Sequence, residues 1–189
     1  MLAQPRALSA EENVALDNWV RAGGRLLLFA DPMMTGETRF SLGDRRRPQD
    51  VSLLSPILAH WGLELQFDEA QRAGISTPEV FGQAIPVNLP GRLVHFPNGE
   101  CTAQAEGLIT TCALGLGEAV IVADAAILDF AGPYSHAEAG LMRIIAHIFA
   151  EKRENAGQTD SVRDPEAENG GIAGFTGIAA MGQTSLDPP

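Results

Sequence analysis

Two acidic side chains occupy positions from which they could bind a ligand or take part in catalysis. Asp31 follows the predicted strand 25–30, which is apolar from Leu26 onward, and Asp124 follows the predicted strand 118–123, which is apolar from Ala119 onward. Apolar runs of this length are typical of strands buried on both faces of a parallel or mixed sheet. Open α/β sheets hold their sites at the carboxyl ends of such strands. Both acids therefore mark a candidate functional edge.

If the two strands are neighbours, the two carboxylates approach the same edge of the sheet. They could then bind a cation, orient the hydroxyls of a sugar or act as a general base. The alternative is that each carboxylate caps a following turn or helix by accepting backbone amides. Gln4, after a short apolar start, and His136, near a predicted helix start, could line the same ligand-binding edge.

No nucleophile accompanies these carboxylates in the sequence. An α/β enzyme with a nucleophilic cysteine can hold it in a sharp strand-to-helix elbow with a histidine partner. Cys101 and Cys112 instead fall in predicted strands, and the sequence has no Gly-x-Ser-x-Gly motif. The histidines lack the spacing of metal ligands. We therefore predict no catalytic residue, no metal site and no cofactor. The four histidines are His60, His95, His136 and His147.

The two cysteines could form a disulfide. If Glu106 and Gly107 make a two-residue hairpin turn, Cys101 lies opposite Cys112, within the distance that a cross-strand bridge can span. In that register the pair falls at a hydrogen-bonded position, where the Cα atoms are farther apart. The alternative is a pair of buried free thiols.

A long polar segment, residues 33–50, contains three successive arginines, Arg45, Arg46 and Arg47. Long loops are usually functional or mobile. The three guanidinium groups could bind a phosphate, a carboxylate or an acidic partner. The alternative is a solvated loop whose positive charge offsets nearby acids.

Charge and composition set the class of protein. The 189 residues carry a net charge of −11, which argues against nucleic acid and anionic membranes as partners. We predict one α/β domain over 1–153 and a disordered tail over 154–189, because the tail is acidic and rich in Gly, Ala and Pro. No run of 18 apolar residues occurs, so we predict no membrane segment in this chain.

Periodicity predicts the elements that position these residues. A capping box at Ser9 and Glu12 begins a helix that ends at Gly23 and Gly24. A second helix is predicted over 51–61, with Pro56 near its start or at a kink, and a strand over 63–67. The apolar face predicted for the first helix comprises Val14, Leu16, Trp19 and Val20.

The second half of the chain reads as strands and a final helix. We predict that residues 68–90 form a loop with one short strand near 80–85. From residue 91, apolar and polar residues alternate, which predicts a meander of strands. The four predicted strands of the meander are 92–96, 101–105, 108–114 and 118–123. The last helix is predicted to bury Leu141, Ile144, Ile145, Ile148 and Phe149.

The first third of the chain resembles a known family. Its apolar start before Pro5, the Leu-Ser-Ala-Glu-Glu motif at 8–12 and the Gly-Gly, apolar run and Asp-Pro at 23–32 are similar to the extracytoplasmic domain of gliding-motility-type (GldG-like) ABC-transport auxiliary proteins. Residues 55–63 fit its next helix and strand, and 115–124 fit its closing strand.

The resemblance implies an α/β fold with a flavodoxin-like or class I glutamine-amidotransferase-like mixed sheet flanked by helices. Leu2 and Ala3 are expected to be the end of a first strand that is truncated at Met1. The location implied is the extracytoplasmic face of the bacterial inner membrane.

The function implied is that of a non-catalytic auxiliary domain of an ABC-type transport system. It would bind a protein of the transport complex or a small extracellular ligand, for example a carbohydrate. One alternative is a hydrolase that uses Asp31 and Asp124, with His136 as a further candidate. The other is a purely structural interaction module.

Overall fold

A computed structural model describes residues 1–96, 100–129 and 137–150. His136 and the predicted boundary between domain and tail lie outside these residues. The helices are α1 (Ala10–Arg21), α2 (Ser55–His60) and α3 (Ala137–Phe149). The strands are β1 (Leu2–Ala3), β2 (Arg25–Phe29), β3 (Leu63–Gln66), β4 (Ile75–Ser76), β5 (Glu79–Val80), β6 (Gln83–Ala84), β7 (Val87–Asn88), β8 (Arg92–His95), β9 (Cys101–Gln104), β10 (Ile109–Leu114) and β11 (Gly117–Val122).

The main sheet is mixed, as predicted, and has the order β1-β2-β11-β10-β9. The first three of these strands are parallel, and β10 and β9 run antiparallel to their neighbours. Leu28 pairs with Leu2 on one side and Ile121 on the other. The carboxyl ends of β1, β2 and β11 therefore meet at one edge, which we call the C-terminal edge.

Both faces of the main sheet are covered, which explains the continuous apolar runs. In β2, Leu26 and Leu28 pack into the core formed with α1 and α2. Leu27 and Phe29 pack into the core formed with α3. The sheet thus forms the middle layer of an α/β domain whose helices lie on both faces.

Helix α1 begins with the predicted capping box. The Ser9 hydroxyl accepts from the Glu12 amide at 3.2 Å, and the Glu12 carboxylate accepts from the Ser9 amide at 2.8 Å. The predicted apolar face was partly wrong, because Val14 is 60% and Trp19 is 51% exposed. The Trp19 ring lies over Gly24, where an added Cβ would come within 2.6 Å of it.

Two helix limits differ from the prediction. Helix α2 starts at Ser55 instead of residue 51, which places Pro56 in the first turn, where no amide donor is needed. In α3, Ile144 and Ile148 are buried, but Phe149 is 63% exposed. The helix ends there, and the Arg25 side chain donates to its last carbonyls.

The meander has three strands and not four. Strand β8 pairs antiparallel with β3 in a separate two-stranded ribbon, with Leu63 opposite His95. The segment 68–90 also holds more than the single strand predicted, because β4 pairs with β7 and β5 pairs with β6. Phe81 and Gly82 both have positive φ, which suits the tight turn between β5 and β6.

Cys101 and Cys112 are joined by a disulfide between β9 and β10. They are register partners, and their Cα atoms are 4.0 Å apart. The adjacent pair is hydrogen-bonded, since the Ala113 amide donates to the Glu100 carbonyl. The cysteines therefore occupy a non-hydrogen-bonded position, and the expected hydrogen-bonded position was wrong. The alternation of hydrogen-bonded and non-hydrogen-bonded pairs is shifted by one position, because a 3₁₀ turn over Ala105–Gly107 replaces the two-residue turn.

No helix in the described part of the chain is long and apolar enough to cross a bilayer.

Candidate functional site at the C-terminal edge

The C-terminal edge brings together three of the predicted site residues. Gln4 directly follows β1, and Asp31 and Asp124 each lie two residues after the last residue of β2 and β11. All three are buried, and the two acids are each only 1% exposed. Parallel strands in register place these residues side by side, so the site follows directly from the sheet order. The fourth residue predicted for this edge, His136, is outside the described residues.

Gln4 joins β1, β2 and the loop 33–50. Its backbone lies in the left-handed region, with φ of 43°. Its side-chain amide donates to the carbonyls of Asp31 at 2.9 Å and Gln49 at 3.1 Å. Its side-chain oxygen accepts from the Asp31 amide at 2.8 Å. Gln4 is thus a structural clamp whose polar atoms are all engaged by the backbone.

Asp31 fixes the backbone on both sides of the edge. One carboxylate oxygen accepts from the Met33 amide at 2.8 Å, and the other accepts from the Ala125 amide at 3.0 Å. Burial raises the pKa of Asp31, and the two amide donors oppose that rise. The carboxylate therefore caps the turn after β2 and also holds the chain that follows β11.

Asp124 has the same arrangement. One of its oxygens accepts from the Ala126 amide at 2.7 Å, and the other accepts from the Asn88 amide at 3.0 Å. The pKa of Asp124 is raised to about 7, first by burial and then by the nearby Asp31 carboxylate, while the two amide donors oppose the rise. At neutral pH the two acids together therefore carry less than two negative charges.

A cleft of about 520 Å³ opens beside these acids, and we call it the edge cleft. Its walls include Gln4, Ala125, which directly follows Asp124, and much of the loop 33–50. The Phe40 ring lies in this wall, with the guanidinium groups of Arg39 and Arg46 at 5.2 and 4.7 Å from its centroid. The edge cleft thus combines apolar, aromatic and charged surface. Its other side chains include Met34, Glu37, Thr38, Leu128 and Asp129.

Two of the three successive arginines form ion pairs with acids of the same loop. Arg46 pairs with Asp44 and Arg47 pairs with Asp50, each at 2.8 Å. Arg47 also donates to the Phe40 carbonyl at 2.9 Å, while Arg45 is exposed. Two of the three guanidinium groups are therefore engaged within the loop itself. Their observed role is to shape the loop that walls the edge cleft.

Two of the histidines that the structure describes contact residues other than histidine. His60 is 3.3 Å from Asp17, and His147 stacks on Phe81 with ring centroids 3.7 Å apart. Within the described residues, no three His, Cys, Asp or Glu side chains gather as metal ligands would. The C-terminal edge is accordingly built from backbone amides, carboxylates and the side chains of one loop.

Sequence reasoning missed two features of this site. It did not predict that the Asn88 amide donates to the Asp124 carboxylate. It also did not predict that the guanidinium groups of Arg39 and Arg46 lie over the Phe40 ring. One signal was available for the loop: Asp44 two residues before Arg46 is an Asx-turn pattern, and Asp44 does accept from the Arg46 amide at 2.9 Å. No local pattern links residue 88 to residue 124.

No family model and no curated protein matches this chain. Solved structures that are similar to it include the exo-β-1,4-mannosidase Op5Man5 from Opitutaceae bacterium strain TAV5, at 16% identity and a TM-score of 0.43, covering 78% of this chain and 23% of that one.

Two further similar structures are β-galactosidases. One is a cold-adapted enzyme from Rahnella sp. R3, at 14% identity and a TM-score of 0.43, covering 77% of this chain and 22% of that one. The other is the GH42 enzyme Gan42B from G. stearothermophilus, at 11% identity and a TM-score of 0.44, covering 77% and 21%. This chain spans less than a quarter of the length of each of these proteins. Structural similarity with TM-scores of 0.43 to 0.44 supports no conclusion about function.

Proposed function

We propose that this domain is a non-catalytic binding module that serves as an auxiliary part of an ABC-type transport system. One observation carries the non-catalytic role. The carboxylates of Asp31 and Asp124 are almost fully buried, and each of their four oxygens accepts a backbone amide. Carboxylates that are engaged in this way hold the walls of the edge cleft and present no free oxygen to a substrate.

The family resemblance supports the transport role and the finer description of the fold. Three parallel strands with helices on both faces suit a flavodoxin-like or class I glutamine-amidotransferase-like sheet. The Cys101–Cys112 disulfide supports a location outside the cytoplasm, because structural disulfides persist mainly in oxidising compartments. We place the domain at the extracytoplasmic face of the bacterial inner membrane.

The occupant of the edge cleft would be a protein of the transport complex or a small extracellular ligand. A volume of about 520 Å³ lies within the range of small-molecule sites. Phe40 with its two arginines offers a flat surface that suits a planar or acidic group.

Co-purification from native cells tests this function. The tagged full-length chain should bring down the ATP-binding or membrane subunit of a transporter, identified by mass spectrometry. Phe40→Ala should reduce the yield of that subunit, because the ring forms part of the cleft wall. Phe149→Ala, at an exposed phenylalanine on α3, is the matched control and should not. Absence of any transporter subunit from the wild-type eluate would contradict the proposal.

A hydrolase is the second candidate, and one observation favours it. A pKa of about 7 at Asp124 suits a general acid or base at neutral pH. This candidate requires the wild-type protein to turn over chromogenic ester or glycoside substrates and Asp124→Asn to abolish the turnover. The binding module that we propose shows no turnover in either form.

A further inference from the structure

A second cavity, of about 840 Å³, shares no lining residue with the edge cleft. It is bounded by the end of β3, the turn that follows it, the chain from β7 to β8 and the turn between β9 and β10. We call it the β3 cavity. Its polar and aromatic side chains include Gln66, Phe67, Asp68, Gln71, Arg92 and Glu106.

The backbone around the β3 cavity holds unusual conformations. Ala105 and Glu106 line it with φ of 46° and 57°, and Leu89, with φ of 57°, directly precedes the lining residue Pro90. The left-handed region costs a residue other than glycine about 1–2 kcal/mol. Such strained residues cluster at binding sites and active sites. The same turn that is strained at Ala105 and Glu106 brings the Glu106 side chain to the cavity wall.

Close packing fixes the walls. A Cβ added at Gly107 would come within 2.6 Å of the Leu93 carbonyl, so this turn sits directly on β8. The Gly91 amide donates to the Ala123 carbonyl at 2.7 Å, which ties the opposite wall to the main sheet. Gln71 donates to the Pro90 carbonyl at 3.1 Å. The cavity is thus formed before any ligand arrives, which lowers the cost of binding.

The chemistry of the lining points to a ligand with many hydroxyl groups. Asp68, Glu106 and Arg92 form no ion pair within 4.0 Å among the described residues, although all three line one cavity. Arg92 donates to the Gln66 side-chain oxygen at 3.3 Å, so both groups are held along the wall. Carboxylate, amide and guanidinium groups each offer two hydrogen-bonding atoms side by side, which matches adjacent hydroxyls.

The remaining features argue against an anionic ligand. Asp68 and Glu106 outnumber Arg92 in the lining, which leaves one net negative charge, and solvent screens it because all three side chains are exposed. The half-buried Phe67 ring adds apolar surface, against which the C–H face of a sugar ring can pack. We propose that the β3 cavity binds a neutral saccharide. This inference rests on the proposed function, in which the domain binds a ligand without turning it over.

Isothermal titration calorimetry of the full-length chain tests the inference, with glucose, galactose, mannose, maltose, cellobiose and lactose as probes. At least one of these sugars should bind the wild-type protein. Glu106→Gln and Phe67→Ala should each weaken that binding about tenfold, which is the usual effect of losing one good polar or stacking contact. Glu106 is exposed, so its variant should retain the fold even if Phe67→Ala does not.

Matched variants in the edge cleft separate the two sites. Asp129→Asn and Phe40→Ala should leave sugar binding unchanged, because neither residue lines the β3 cavity. Binding that is lost in these two variants and kept in Glu106→Gln would overturn the assignment to the β3 cavity. Failure of every sugar to bind the wild-type protein would overturn the inference itself. Neither result bears on co-purification with a transporter, which tests the proposed function separately.

Discussion

Asp124 is the residue whose protonation should matter most to this protein. Its pKa is raised to about 7, chiefly by burial, so the folded protein holds a proton that the unfolded chain releases near pH 4. The free energy of unfolding should therefore decrease as the pH rises from about 4 to about 7, and then level off. The decrease attributable to Asp124 should be on the order of 4 kcal/mol.

Urea unfolding at a series of pH values measures this effect. Asp124→Asn removes the titrating group, so its free energy of unfolding should lose this part of the slope between pH 4 and 7. The variant should also be less stable overall. In the wild type each Asp124 oxygen accepts from a backbone amide, and in the variant the asparagine NH₂ group would face one of these amide donors. Asp129→Asn, in the next turn, should keep the slope. Identical pH profiles for the wild type and Asp124→Asn would contradict the assignment.

At the level of elements, the disulfide should hold the outer strand β9 onto β10. It closes a loop of 11 residues, which is expected to stabilise the folded state by about 3 kcal/mol through the entropy of the unfolded chain. The double variant Cys101→Ala, Cys112→Ala should lose about this free energy in guanidinium unfolding.

Reduction provides the control for the disulfide. A reducing agent should lower the unfolding midpoint of the wild type towards that of the double variant and should leave the double variant unchanged. A wild-type midpoint that is insensitive to reduction would show that the bridge contributes no stability. Titration of the denatured wild type should find two free thiols only after reduction.

At the level of the whole molecule, the three layers depend on buried side chains of the flanking helices. Ile144, on α3, is fully buried in the core that covers one face of the sheet. Ile144→Ala should lower the free energy of unfolding by about 2–5 kcal/mol, because it leaves a cavity. Met142→Ala, at a side chain that is 58% exposed, is the control and should change it by less than about 1 kcal/mol. Equal effects of the two variants would contradict this packing.

Much of the architecture was predictable because its signals are local. Residues 26–30 and 119–123, which precede Asp31 and Asp124, are apolar at every position, as strands covered on both faces require. Ser9 and Glu12 specify the start of α1 through contacts three residues apart. Strand β8 was assigned to the wrong sheet because its alternating pattern fits either β9 or β3, and pattern alone cannot choose between two possible partners.

The candidate site was predictable only in outline. The positions of Asp31 and Asp124 at strand ends follow from the sequence, and their shared edge follows from the parallel order. Their role depends on amides from Ala125 and Asn88, which reach them through tertiary contacts. Exposure of Trp19 was likewise missed, because the ring packs over Gly24 and not into the core. Helical spacing identifies a face, but it does not determine what covers that face.

The parallel pairing of β2 with β11 has a consequence for synthesis of the chain. Arg25 pairs with Glu118, so β2 cannot complete the sheet until most of the domain has left the ribosome. At typical rates of translation this wait lasts roughly 5–20 s. During that time the apolar run of β2 has only β1 and α1 as partners, and we expect it to be a binding site for chaperones. Strands β10 and β11 are close in sequence and can form their hairpin as soon as both are synthesised. Strand β2 can then pair with β11.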